Sequence, residues 1–335
     1  MFPVMTPDAH APILVSAIPL AHECRGGRPE TTHLGWWVLA NADGPTRIAS
    51  HPDAPAVMTY ARSCAKPWQA VPLVQSGVAS QWSAERLAIA CGSHVGSPEH
   101  VALVDDLLAE GPFDLEALGC GAQAPVSAHA RHELLRSGLV PDRRHNNCSG
   151  KHVAMLHACK AFGFDPTRYW LAEHPLQQRI TAWVKDQLGR PVAVAVDGCG
   201  VPTYWLTLGE IAQMYARMAV LPETTPLLDA MAQAPEAMGG AERVDSTIIR
   251  LTEGALIAKV GASGIVAVTH RKKQQGLVLK LADGLDSVRN RALVQVLMQL
   301  GWLSPVALTH PALAPWRDPT IRNTQGVVTG QWVMV

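Results

Sequence analysis

The sequence predicts a single α/β unit, and three observations predict it. Short apolar runs are bounded by turn residues, capped amphipathic segments lie between them, and no internal repeat, low-complexity tract or long linker interrupts the 335 residues. At roughly 150 residues per domain this length suits one large domain or two. Residues 1–335 are therefore read as one unit, with two lobes and a site between them as the elaborated form.

The elements follow in chain order. Residues 34–40 (LGWWVLA), the turn NADG and the apolar stretch after it read as a strand, a turn and a strand. Residues 83–91 (SAERLAIAC) and 97–110 (SPEHVALVDDLLAE) each open on a capping Ser with an acidic first turn, and the second adds a Pro at the first helical position. A third helix is expected from 149 to about 162, stopped by Gly163. Residues 191–196 (PVAVAV) form a short strand that delivers Asp197-Gly198-Cys199-Gly200 at its end, where sites of α/β proteins gather. Helical patterns follow at 206–219 and 225–234, strands at 255–260, 264–269 and 276–281, a helix at 284–300, and a terminal hairpin in NTQGVVTGQWVMV.

Composition limits the function. The formal net charge is zero and 17% of residues are charged, which excludes a nucleic-acid arm or a disordered tail. The opening segment lacks a basic n-region, carries Asp8 and breaks its apolar run with prolines, so no secretory signal is expected. Nor is there an uninterrupted apolar span of about 18 residues. The expectation is a soluble, cytoplasmic protein with no membrane partner. Seven widely spaced cysteines argue for free thiols. Arg outnumbers Lys by 20 to 8. Coding bias explains the imbalance, but each Lys remains a group that can give up a proton where Arg cannot.

Four constellations carry chemistry. In Arg62-Ser63-Cys64-Ala65-Lys66-Pro67, an S-x-x-K spacing puts an amine one turn after a hydroxyl, and Pro67 requires a helix to begin near Ser63. Ser63 would then stand at a helix N-terminus, with Lys66 beside apolar surface where its pKa falls. The structural alternative is a capping Ser followed by a solvated Lys. In His145-Asn146-Asn147-Cys148-Ser149-Gly150-Lys151-His152, paired Asn residues make a turn and Cys148 opens a helix as a candidate thiolate, with Lys151 on the same side. Cys199 supplies a second thiol, and two thiolates suit a soft metal such as zinc, although neither C-x-x-C nor H-E-x-x-H is present. Cys91-Gly92-Ser93-His94 is a small-residue turn in which Ser93 is a candidate hydrogen-bond partner and C-x-x-H reads more readily as structural than as a metal site. Finally, Lys280 alternates with leucines on a strand buried on both faces and so needs a partner or a role. Lys259-Val260-Gly261 is similar to the K-T-G strand of penicillin-recognising enzymes, but Val260 replaces the hydroxyl residue, so Lys280 is preferred over Lys259.

Taken together, R-S-x-A-K-P (62–67), SH followed by GxPEHV (93–101), HNNCSGKH (145–152), DGCGVPT (197–203), KxGAxG (259–264) and LKxxDG (279–284) resemble the Rhizobium etli-type, or thermolabile, L-asparaginases over nearly the whole chain. The resemblance implies a fold similar to serine β-lactamases and bacterial glutaminases, an antiparallel-rich sheet packed with helices, a homodimer, and hydrolysis of L-asparagine to L-aspartate and ammonia. By the same resemblance Ser63 is the nucleophile and Lys66 its base, Ser93 and Lys280 form a second Ser-Lys pair, and Arg62 and Asp197 hold the site or the substrate. Cys148, Lys151 and Cys199 would bind Zn2+, which assists substrate binding and need not be essential. Cys64, Ser263 in place of an acidic residue, and the polar stretch HRKKQQ (270–275) depart from the family pattern and bear on substrate range. The competing readings are a glutaminase or penicillin-interacting S-x-x-K hydrolase, and a non-catalytic zinc or metabolite-binding protein.

Overall fold

The computed structural model describes residues 16–44 and 46–335. Part of the N-terminal reading, residues 1–15, lies outside the described residues. Two sheets form, and every pairing in them is antiparallel. The large sheet runs β10 (Thr320–Arg322), β11 (Val328–Met334), β1 (Ile18–Arg25), β2 (Arg28–Asn41), β9 (Gln275–Leu281), β8 (Ile265–His270), β7 (Leu256–Val260), with β3 (Thr46–Ala49) also beside β2. A three-stranded sheet has the order β4 (Met58–Tyr60), β6 (Pro202–Thr207), β5 (Ala193–Val196). The chain is thus mixed α/β with an antiparallel sheet.

The centre of the large sheet, formed by β7, β8, β9 and the C-terminal half of β2, is buried on both faces, and the period-two alternation of these strands separates two apolar cores. Trp36, Val38, Ile257, Ile265, Ala267 and Val278 point to one face, where they join the larger core with Ile211, Met214 and Tyr215 of the helix Leu208–Arg217. Their neighbours Leu39, Ala258, Val266, Val268, Leu277 and Leu279 point to the other, against Val288, Leu293 and Leu297 of the helix Asp286–Gln299. Parity alone therefore assigns Lys259 and Lys280 to the first face, together with Ile257 and Val278. Burying a large aliphatic side chain is worth roughly 1.5–3 kcal/mol. Two such cores fix the register of these strands, because a one-residue slip would exchange both sets.

Helices appear at Ala84–Ala90, Pro98–Glu110, Ser149–Phe162, Thr225–Gln233 and Asp286–Gln299, within a few residues of the sequence expectation, and β10 and β11 form the terminal hairpin. Two expectations need correction. The pattern at 206–219 is strand to Thr207 and helix from Leu208, because Thr207 and Glu210 form a reciprocal capping box that starts the helix there. No extended helix begins at Ser63. Residues Arg62–Ala65 make a 3-10 turn, followed by helices of four and five residues, Lys66–Gln69 and Val71–Gln75, since Pro67 and Pro72 withhold backbone donors. Among the described residues no helix is long and apolar enough to cross a membrane.

Candidate active site

The first site segment lies on the turn that follows β4. Arg62 adopts φ +49°, a left-handed conformation that costs a non-glycine residue on the order of 1 kcal/mol or more. It is held there by three contacts: its N–H donates to Thr203 Oγ1 at 3.0 Å, its Nε to Asp197 Oδ1 at 2.8 Å, and its Nη1 to Ser263 Oγ at 3.1 Å. Ser263 is itself left-handed, with φ +62°. Strain on both sides of this contact aims the backbone of the next residue, Ser63, which is half-buried. Arg62 and Asp197, distant in sequence, thus form one ion pair with side chains 29% and 12% exposed, leaving part of the guanidinium accessible.

Lys66 is buried below this turn. Its Nζ donates to Gly92 O and, at 3.1 Å, to Asn147 O, and it does not hydrogen-bond to Ser63. Burial pulls its pKa below the ordinary lysine value. A neutral amine has two N–H bonds and one lone pair. In that neutral form, with both N–H bonds on these carbonyls, the lone pair is left to accept a proton. Gly92 is needed for packing here, since a Cβ at that position would collide with Met238 O.

Ser93 is paired differently from expectation. Its Oγ accepts a hydrogen bond from Lys259 Nζ at 2.8 Å, and Lys259 also donates to Val260 O at 2.8 Å. Lys280 instead donates to Leu281 O at 2.5 Å, on its own strand. The pairing of Ser93 with Lys280 is therefore corrected to Ser93 with Lys259. The reason is the register: Lys259 is opposite Ala267 and Lys280 opposite Ile265, so the two lysines stand two strands apart and two residues offset, about 12 Å between Cα atoms. Lys259 is completely buried, and burial takes its pKa from 10.5 down to about 7. Lys280 is also lowered by burial. It lines a cleft of about 290 Å³ with Trp36, Tyr60, Arg62, Trp205 and Ser263.

The thiols assemble as a third cluster. Asn146 makes the predicted turn, its Oδ1 accepting the N–H of Cys148 at 2.9 Å while its Nδ2 donates to Cys120 O at 2.9 Å. Cys148 caps the helix Ser149–Phe162, and Gly150 lets that helix close on Ile89, where a Cβ would meet Ile89 O at 2.7 Å. Lys151 Nζ donates to Cys199 Sγ at 3.1 Å, and both thiols are buried. The charge does not reside where the helix position of Cys148 suggests. Cys148 Sγ donates to Asn147 Oδ1 at 3.1 Å, and the neighbouring Cys199 sulfur together with burial raises Cys148, whereas Cys148 and Lys151 hold Cys199 far below the ordinary thiol range. Burial opposes the charge of Lys151, but the Cys199 thiolate outweighs it and keeps the amine protonated.

Among the described residues no three His, Cys, Asp or Glu side chains gather in a metal-binding cluster. Cys91 and His94 do not converge on a shared point: Cys91 is buried beside Lys259, and His94 Nε2 donates to Ser149 Oγ at 2.8 Å. The Cys148, Lys151 and Cys199 group, with two sulfurs and an amine, has the donor chemistry for zinc with one position open, provided Lys151 loses its proton.

Two residues of this region were missed in the sequence. His152 is buried behind Lys151, its Nδ1 accepts from Tyr169 OH at 2.6 Å, and it helps stabilise the Cys199 thiolate. Its place at the end of HNNCSGKH was the available signal. Asp245, 1% exposed, lies 4.0 Å from Lys259 Nζ and accepts the N–H of Val260 at 3.2 Å. A carboxylate in an unremarkable helix start gave no signal at all.

The sequence model of the family described as L-asparaginase II matches residues 21–334. The chain belongs to this family. No curated protein matches it.

Proposed function

We propose, from membership of the L-asparaginase II family, that the protein hydrolyses L-asparagine to L-aspartate and ammonia by an acyl-enzyme route. The family match across residues 21–334 carries the reading and makes the substrate a small molecule and the enzyme an amidohydrolase. Further support comes from the two buried amines, Lys66 and Lys259, set beside the segments that bear Ser63 and Ser93.

In this reading Arg62, locked by Asp197, binds the substrate carboxylate with the part of its guanidinium left exposed. Ser63 Oγ attacks the side-chain amide carbon while its proton passes to the free lone pair of Lys66. The protonated amine is stabilised by its two carbonyl partners, Gly92 O and Asn147 O. Collapse of the tetrahedral intermediate breaks the C–N bond, and the leaving nitrogen takes a proton from the Ser93-Lys259 pair. Lys259 then accepts a proton, through Ser93, from the water that attacks the ester, and as the ester C–O bond breaks Lys66 returns its proton to Ser63 Oγ, which restores Ser63 and releases aspartate. A pKa near 7 suits an amine that must both give and take a proton.

Cys148, Lys151 and Cys199 would hold zinc. When bound, the metal supplies positive charge that orients a polar group of the substrate. We also read the fold as serine β-lactamase-like and the assembly as a homodimer, which light scattering on the purified protein tests. The decisive measurement is ammonia release from asparagine and glutamine side by side, with and without zinc. Turnover of asparagine supports the assignment. Glutamine-only turnover, or covalent labelling by a fluorescent penicillin without ammonia release, overturns it.

A further inference from the structure

Asp245 sits in the first turn of the helix Val244–Leu251, where an acidic residue ordinarily serves the helix dipole from the solvent side. This one is 1% exposed. A carboxylate with no solvent is costly unless it is paired and hydrogen-bonded, so its burial requires a compensating set of partners. Those partners are the N–H of Val260 on Oδ2 at 3.2 Å, the N–H of Ser246 on Oδ1 at 3.3 Å, Arg243 Nε at 3.5 Å and Lys259 Nζ at 4.0 Å.

The contact with Lys259 is longer than a hydrogen bond, so the two are a charge pair rather than a shared proton. Lys259 has already spent two N–H directions on Ser93 Oγ and Val260 O. Asp245 is anchored by the backbone of the residue next to Lys259, which fixes the distance between the charges. We propose that Asp245 is a positioning residue for the reaction: a fixed carboxylate that keeps the Lys259 amine on Ser93 and supplies the countercharge whenever that amine carries a proton.

The surroundings leave this task to Asp245. Facing Lys259 are Cys64 and Lys66 from the turn 62–66, Cys91 and Ser93 from the turn 91–93, and Arg243 and Asp245 from the start of the helix Val244–Leu251. Arg289, from the helix Asp286–Gln299, faces Asp245 and Cys64 and donates to Gly261 O at 2.8 Å. On the paired strand the opposite residue is Ala267. Among these groups Asp245 is the one carboxylate, while Lys66, Arg243 and Arg289 are cations. The thiols of Cys64 and Cys91 are pushed up to about 12 by burial and stay uncharged. Although burial pushes the Asp245 carboxyl up, Arg243, Lys259 and the Val260 N–H together hold it below the usual carboxylate range. It remains an anion throughout the working range of the enzyme.

This inference rests on the assignment of the Ser93-Lys259 pair to the reaction, and the experiment separates the two. In Asp245→Asn the size and the acceptor for Val260 N–H are kept and the charge is lost. Ammonia release from asparagine should fall about 10- to 100-fold in kcat, with KM little changed. Without the anion the Lys259 amine loses its proton at lower pH, so the basic limb of kcat/KM, set by the proton this pair gives to the leaving nitrogen, should move to lower pH by about one unit. Arg243→Met removes a cation from the same group and should move that limb in the opposite direction. A basic limb that stays in place in both variants, or a loss in Asp245→Asn that merely follows a lower folded fraction, overturns the positioning role. Lys259→Met is the control. If it turns over asparagine like the parent, the assignment of the pair fails and the inference with it; if it is inactive while the limb of Asp245→Asn stays fixed, only the inference fails.

Discussion

Lys66 and Lys259 are both buried amines on the same side of the large sheet, yet their charges are managed by different chemistry. Lys259 faces a carboxylate, Asp245, tied to backbone. Lys66 has no carboxylate partner. Two carbonyls, Gly92 O and Asn147 O, cap it, and the nearby anion is the Cys199 thiolate, with Cys148 between. The Lys66 side is therefore the one that feels a change of charge at the Cys148 and Cys199 thiols. A third lysine, Lys280, has the same strand parity but opens on the cleft beside Arg62. Placement in the fold, not residue type, divides the three: Lys66 is on a short helix, Lys259 and Lys280 on two different strands.

The sharpest test of the Lys66 side is Ser63→Ala. It should lower asparagine turnover by about 10³-fold or more, because a missing nucleophile cannot be replaced by positioning alone. Activity within tenfold of the parent would remove Ser63, and with it the role of Lys66, from the mechanism.

Next in size is the contrast between Lys259 and Lys280. Lys259→Met should cost about 10²- to 10⁴-fold in kcat, the usual worth of a positioned acid-base group. Lys280→Met should act mainly on KM, by about tenfold or less, as expected for a cation that lines a binding cleft. Steady-state kinetics on both variants decides the matter. Equal collapse of kcat in Lys280→Met would restore it to the proton pathway and break the division drawn above.

A smaller effect is expected at the thiols. Cys199→Ala and Cys148→Ala should each reduce bound zinc, measured by elemental analysis of protein purified with added metal, and should raise KM for asparagine by about tenfold. Zinc content equal to that of the parent in either variant would reject the site. In both, the basic limb assigned to Lys259 should stay where it is, since the carboxylate side does not share these ligands.

How much of this was legible in the sequence varies with the kind of physics involved. Helices with end signals were readable: Ser97 and Pro98 start one, and Gly163 stops another with φ +71°. Strands with period-two apolarity were readable too. The geometry of Ser63 was not, because Pro67 and Pro72 break the segment into short turns whose direction is set by the Arg62 contacts to Asp197, Thr203 and Ser263, all remote in sequence. That Ser93 contacts Lys259 rather than Lys280 was hidden for a related reason. Both lysines sit on strands buried on both faces, and only the inter-strand register shows which one reaches Ser93. The short motif around Lys259 was set aside for its missing hydroxyl, although the amine and not the neighbouring side chain makes the contact. Asp245 was invisible because a helix-start carboxylate is normally a surface feature.

The smallest effect concerns stability, and it isolates Lys259 without reference to turnover. Its folded pKa of about 7 lies below its ordinary value of 10.5. Between those values the unfolded chain binds more protons than the folded one, so this residue makes stability rise with pH across that window. Below about pH 7 both states are protonated, and the full cost of burying the charge is present. Lys259→Met should flatten the rise: its denaturation midpoint relative to the parent should be most favourable near about pH 7 and lose ground toward about pH 9.5. The slope, rather than either midpoint, is the quantity to compare, because the variant also alters packing and leaves Asp245 to Arg243 alone. Parallel curves for parent and variant would mean that Lys259 titrates in the folded protein as it does in the unfolded chain. In that case the burial of its amine would be offset by its charge partners, Asp245 first among them.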